Sequence, residues 1–234
     1  MFFDPSKYNE PTIKKLPVIL LLDVSGSMEG EKIDTLYKCV IEMTDAFAKA
    51  PMKDAIIDIA IITFGNDKAE IHTEYTSVSE LMEKKPEKFT AEGSTPLGKA
   101  LTITKEMIED KNRTPSRIYR PAVVLVSDGK PNDEWQEPME RFINEGRSQK
   151  CQRFAIAIGN THDAANIAML NTFAENESQV LRAEEVSGIS DCFRKVTMSV
   201  SQRATSVNPN KMPSAKNLSV PKNNDADDDD EVFL

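Results

Sequence analysis

Asp23, Ser25 and Ser27 stand at positions i, i+2 and i+4 at the end of the apolar run Pro17-Val18-Ile19-Leu20-Leu21-Leu22. One carboxylate and two hydroxyls are hard oxygen donors of the kind that suit a small hard cation, Mg²⁺ or Mn²⁺ in its place. A third hydroxyl is offered by Thr95 in Glu92-Gly93-Ser94-Thr95-Pro96-Leu97-Gly98-Lys99. Its position predicts an N-cap for a helix whose first residue is Pro96, so the hydroxyl sits at a helix N-terminus. A second carboxylate, Asp128, ends another apolar run, Ala122-Val123-Val124-Leu125-Val126-Ser127, and Gly129 follows it. Each of these five residues is, taken singly, equally a turn or cap residue. Their joint arrangement, at the ends of separate elements, is what points to a metal.

The two apolar runs have the length and Val/Ile/Leu content of strands buried on both faces, as in a parallel sheet. In open α/β sheets the ligand crevice lies beyond the carboxyl ends of the strands, where Asp23 and Asp128 fall. Ile33, Leu36, Tyr37, Val40, Thr44 and Phe47 recur at helical spacing and predict a helix over 31–50. Residues 55–64 read as a second central strand, and 69–76 as an antiparallel edge strand joined to it through Gly65-Asn66-Asp67. A helix runs from the Thr95 loop to about 111, another over 133–149, started by Asn132, Asp133 and Glu134. Strand 154–158, helix 163–174, edge strand 179–181 and a closing helix marked by Val186, Ile189, Phe193, Val196 and Val200 complete the alternation. Such alternation means a doubly wound α/β fold, a mostly parallel sheet with helices on both faces.

A chain of 234 residues fits one domain with a tail. The boundaries expected are an N-terminal extension over 1–15, a domain over 16–201 and an acidic C-terminal tail over 202–234, flexible because it has too little apolar surface to offset ordering entropy. The net charge is −9, and removing the six acidic residues between Asp225 and Glu231 leaves −3 for the rest. No basic patch with interleaved aromatics is present, which argues against nucleic acid, and no apolar run is long enough for a membrane span. Cys39, Cys151 and Cys192 are odd in number and widely spaced, as expected of reduced thiols, and no charged leader precedes an apolar stretch. The expected location is cytoplasmic.

The string D-x-S-x-S at Asp23, Ser25 and Ser27, T-P-L-G-x-A-L from Thr95 and S-D-G at Asp128 resemble the von Willebrand factor A (VWA) domain family and its metal-ion-dependent adhesion site. The resemblance covers roughly residues 16–200 and all five motif positions. It implies strand order 3-2-1-4-5-6, direct metal binding by Ser25, Ser27 and Thr95, and binding by Asp23 and Asp128 directly or through water. An ion held mostly by hydroxyls stays electrophilic, so the implied function is a protein-binding adaptor whose cation takes an Asp or Glu from a partner. The wording Leu-Pro-Val-Ile-Leu-Leu-Leu-Asp-Val-Ser-Gly-Ser-Met and Ser127-Asp128-Gly129-Lys130-Pro131-Asn132-Asp133-Glu134-Trp135 is most similar to the bacterial tellurium-resistance-associated, TerY-like group. That implies a tellurite, stress-response or defence system with a kinase and a phosphatase as associates. The alternative is a VWA subunit of an ATPase-driven, chelatase-like assembly.

Catalysis by a metal-dependent phosphohydrolase is the opposing class. Ser25 stands where aspartyl-phosphate chemistry wants a second carboxylate, and His72 and His162 lie outside the metal motifs. No phosphate cradle or nucleophile elbow is present, so the expectation is not an enzyme. Trp135 is either a partner anchor beside the metal or a core residue. Asp163 either caps the next helix or reaches the top surface. The acidic tail is either a solubilising end or a tethered competitor whose carboxylates enter the metal site.

Overall fold

A computed structural model describes residues 14–50, 55–159, 163–174, 176–206 and 209–210. Residues 1–13 of the expected N-terminal extension, His162 and residues 211–234 of the expected tail lie outside the described residues. Strand β1 (Lys14–Asp23) pairs in parallel with β2 (Ala55–Gly65) on one side and β4 (Ala122–Ser127) on the other. β2 turns back antiparallel into β3 (Lys68–Ser77), and β4 continues through β5 (Gln152–Ile158) to β6 (Val180–Ala183). The order across the sheet is β3-β2-β1-β4-β5-β6.

The apolar run of residues 16–22 within β1 follows from strand alternation, because both faces of the strand are covered there. Leu16, Val18, Leu20 and Leu22 point to a core shared with α1 (Glu31–Lys49) and α6 (Ser187–Ala204). Ile19 and Leu21 point to a second core, built with α3 (Leu97–Glu109), α4 (Gln136–Asn144) and α5 (Ala164–Phe173). Burying one such side chain stabilises by roughly 1.5–3 kcal/mol, so two filled cores fix the strand's register firmly. That register decides which residues meet at the rim. Leu22 opposite Val126 makes Asp23 and Ser127 neighbours one step further along.

Three local expectations change. Helix α4 spans Gln136–Asn144, shorter than 133–149, because Asn132 and Asp133 bind elsewhere and Gly146 adopts φ +67° beyond its end. A short helix, α2 (Val78–Glu83), follows β3 and is held by a capping box between Ser77 and Glu80. Helix α6 continues to Ala204, past the change of composition at 202. Its end is anchored by buried Arg203, whose guanidinium donates to Gln152 Oε1 (3.1 Å) and to the carbonyls of Arg120 and Pro209. Asn66 and Asp67 take left-handed φ of 47° and 58° and make the expected hairpin turn between β2 and β3.

Candidate metal site at the carboxyl edge of the sheet

Asp23 is fully buried at the end of β1 and its two carboxylate oxygens are separately engaged. Oδ1 accepts the Ser25 N–H at 2.9 Å, folding the loop back on itself, and Oδ2 accepts the Ser127 hydroxyl from β4 at 2.6 Å. Burial pushes the Asp23 carboxyl up to about 6 from 3.8, against the opposing pull of the Ser127 and Ser25 hydrogen bonds. The carboxyl therefore binds a proton more tightly in the fold than in the unfolded chain. Its contribution to stability is full below about pH 4 and is lost as pH rises through 6, on the order of 3 kcal/mol in all. Chemical denaturation from pH 4 to 7 without divalent metal should show this decline in the wild type, and a flatter profile in Asp23→Asn.

After Asp23 the chain makes a 3₁₀ turn at Gly26–Met28. The Ser25 and Ser27 hydroxyls lie 3.1 Å apart, and Ser27 Oγ donates to Asp128 Oδ1 at 2.6 Å. A string of oxygen donors thus runs from Ser25 through Ser27 to Asp128, and the Ser25 N–H ties it to Asp23, joining β1 to the end of β4. An octahedral ion with metal–oxygen distances of about 2.0–2.1 Å has edges of about 2.9 Å. The Oγ–Oγ and Oγ–Oδ1 spacings of 3.1 and 2.6 Å bracket that edge, and the donor set is all oxygen. The residues fit a small hard cation. Among the described residues no cluster of three or more His, Cys, Asp or Glu side chains is assembled for a metal, which sets this hydroxyl-rich rim apart from a soft-metal site.

Thr95 arrives on a separate loop stitched to the first. Glu92 N–H donates to the Val24 carbonyl (2.8 Å), Gly26 N–H to the Gly93 carbonyl (2.9 Å), and Asn66 N–H in the hairpin to the Glu92 carbonyl (2.9 Å). Gly93 has φ +64°, and a side chain there would meet Asn66 Cα at 2.8 Å, so only glycine allows this seam. Thr95 does not cap α3 as expected: Pro96 occupies that position and makes no side-chain cap. The cap comes from Asp133, whose carboxylate accepts the N–H groups of Gly98 and Lys99, both at 3.1 Å. Asn132 clamps the Thr95 backbone, accepting its N–H at Oδ1 (3.0 Å) and donating its own N–H to the Thr95 carbonyl (3.2 Å). Relieved of capping, the Thr95 hydroxyl has no hydrogen-bond partner among the described residues and keeps contact with solvent.

Two further residues line the candidate site: Ser127, the serine of the S-D-G motif, and Lys32, which carries no motif signal of its own. Ser127 ties Asp23 to β4. Lys32, in the first turn of α1, donates to Asp128 Oδ2 at 2.5 Å and to the Ser27 carbonyl at 3.0 Å. Asp163 is the cap of α5, accepting from Ala165 and Asn166, and pairs with Lys130 at 3.0 Å. Trp135 is half-buried and packs against the second core. His72 lies in β3 with its ring edge-on to Phe89, 5.1 Å between centroids.

The profile of the von Willebrand factor type A domain matches residues 18–195, from within β1 into α6. The chain belongs to the VWA domain family. No curated protein matches the sequence. Among solved structures, proximal thread matrix protein 1 from the mussel byssus, with a zinc-occupied MIDAS motif, is similar at 16% identity and a TM-score of 0.61. That match covers 82% of this chain and 46% of the mussel protein, so the chain spans less than half the length of that relative. The vWF domain of the type V pili tip protein Mfa5 from Porphyromonas gingivalis matches at 10% identity, TM-score 0.62, over 82% of this chain and 96% of that one. The ArnB paralog VWA2 from Sulfolobus acidocaldarius matches at 20% identity, TM-score 0.57, over 77% and 44%. At such identities the likeness is one of fold. VWA domains mediate protein–protein interaction and adhesion, often with a divalent cation, and the rim described above is where this VWA domain gathers its oxygen donors.

Proposed function

We propose that this VWA domain is a non-catalytic adaptor that takes an Asp or Glu of a partner protein at a divalent cation, Mg²⁺ or Mn²⁺, held by Asp23, Ser25, Ser27, Thr95 and Asp128. The observation that carries the reading is the string of oxygens from Ser25 through Ser27 to Asp128, spaced 3.1 and 2.6 Å, with Asp23 held to it through the Ser25 N–H. The Thr95 loop, stitched to residues 24–26, supports the assignment, since the Thr95 hydroxyl is tied up by no hydrogen bond among the described residues and is free to take a ligand. When bound, the cation supplies a Lewis-acidic position for an incoming carboxylate. The chain's own residues do the rest. Ser127 and the Ser25 N–H fix Asp23, and Asn132 holds the Thr95 backbone in place. The seam between residues 24–26 and 92–93 makes the two loops move as one unit.

The non-catalytic reading is supported by the engagement of His72 with Phe89 and with the Thr73 hydroxyl at 3.0 Å, neither of them one of the five oxygen donors. The wording of the β1 and β4 motifs supports a TerY-like setting, a bacterial tellurite or stress response with a kinase and a phosphatase as associates. All three cysteines are buried free thiols, which fits a reducing cytoplasm, and no helix among the described residues is long and apolar enough to cross a membrane. Affinity capture with the full chain should retain a partner in Mg²⁺ and release it in EDTA, and Asp128→Ala should retain none. Equal capture in all three conditions contradicts the proposal.

A further inference from the structure

Lys32 brings a fixed positive charge into a site otherwise built to receive a cation. Its ammonium touches Asp128 Oδ2 at 2.5 Å and the Ser27 carbonyl at 3.0 Å, both on residues of the donor string. The Asp128 side chain is only 1% exposed, whereas that of Lys32 is 30% exposed, so the carboxylate is enclosed and the lysine reaches it from the solvent side. Gly159 lies beside Nζ, where a side chain would come within 3.8 Å of it, and the exposed part of Lys32 faces solvent. Lys32 therefore has room to swing away on its flexible stem without disturbing the core.

We infer that Lys32 is a built-in counter-cation that occupies Asp128 until a divalent ion arrives and then keeps the loaded site net positive. The inference rests on the proposed metal site and deepens it. Charge counting gives the consequence. Asp23 and Asp128 with Lys32 total −1, and a divalent ion brings the site to +1. Without Lys32 the loaded site is neutral. The lysine thus weakens metal binding through repulsion and competition for Asp128, and strengthens attraction for an acidic ligand. It also holds Ser27 and Asp128 together before the metal binds.

The test uses the full chain, with Mg²⁺ and Mn²⁺ alone as probes, in the wild type, Lys32→Met and Lys32→Arg. Titration calorimetry should show Lys32→Met binding either ion about tenfold tighter than wild type, while Lys32→Arg stays near wild type. In EDTA, Lys32→Met should melt at a lower temperature than wild type, because the enclosed Asp128 carboxylate loses its partner, and its gain in Tm on adding metal should be larger. Unchanged or weaker metal affinity in Lys32→Met, with the wild type binding normally, overturns the role of Lys32 and leaves the metal site standing. No uptake by wild type or by Lys32→Met overturns both.

Discussion

Asp128→Ala should lower Mg²⁺ and Mn²⁺ affinity by about a hundredfold or more while leaving the fold intact. The variant removes one of only two carboxylates in the site and cuts the string at Ser27, whose hydroxyl loses its 2.6 Å acceptor. It also releases Lys32, leaving an ammonium beside the remaining donors with no carboxylate to neutralise it. Loss of negative charge and gain of free positive charge act in the same direction, which makes this the largest single-residue effect on the metal. The fold should persist, because Asp128 follows the last residue of β4 and neither core contains it. Circular dichroism should therefore match wild type, and calorimetry should show the lost heat of binding. Affinity within a factor of two of wild type contradicts the placement of Asp128 in the site.

Gly65→Ala should damage stability and metal binding together. A methyl group at Gly65 would lie 2.5 Å from the Val24 carbonyl oxygen and 2.8 Å from the Val24 carbonyl carbon. Both are backbone atoms, so rotamer changes do not relieve the clash and the loop after Asp23 must shift. Overpacking of this sort costs roughly 1–3 kcal/mol. The same Val24 carbonyl accepts the Glu92 N–H, so the shift opens the seam that aligns Ser25 and Ser27 with the Thr95 loop. Urea denaturation should report the lost stability, and metal titration a loss of at least about tenfold in affinity, since ligand geometry tolerates little displacement. A variant that loses stability and retains wild-type affinity separates the seam from the site and counts against the two-loop arrangement.

Much of the candidate site is legible in the sequence because its carboxylates end strands whose apolar character is unmistakable. Asp23 and Asp128 follow runs buried on both faces, and a parallel sheet places such ends on one rim. Ser25 and Ser27 are local to Asp23 and needed no tertiary information. Thr95 shows where local reasoning stops. A threonine before proline reads as a cap, yet Asp133, 35 residues from Gly98, supplies the cap through a contact that only the fold creates. The same contact explains why Asn132 and Asp133 do not begin α4. Lys32 was invisible for a related reason. A lysine in the first turn of a helix reads as solvated, and only the seating of α1 on the core it shares with β1 and β4 brings it to Asp128. Helix α2 did leave a signal, the Ser77-x-x-Glu80 capping box, on a segment too short to show helical periodicity.

Titration calorimetry of the full wild-type chain with Mg²⁺ and Mn²⁺, after exhaustive chelation, tests the central claim most directly. The expected result is one ion bound per chain at millimolar or lower metal, with the heat abolished in Asp128→Ala. No uptake at millimolar metal, or equal uptake by the variant, contradicts a divalent cation held by Asp23, Ser25, Ser27, Thr95 and Asp128.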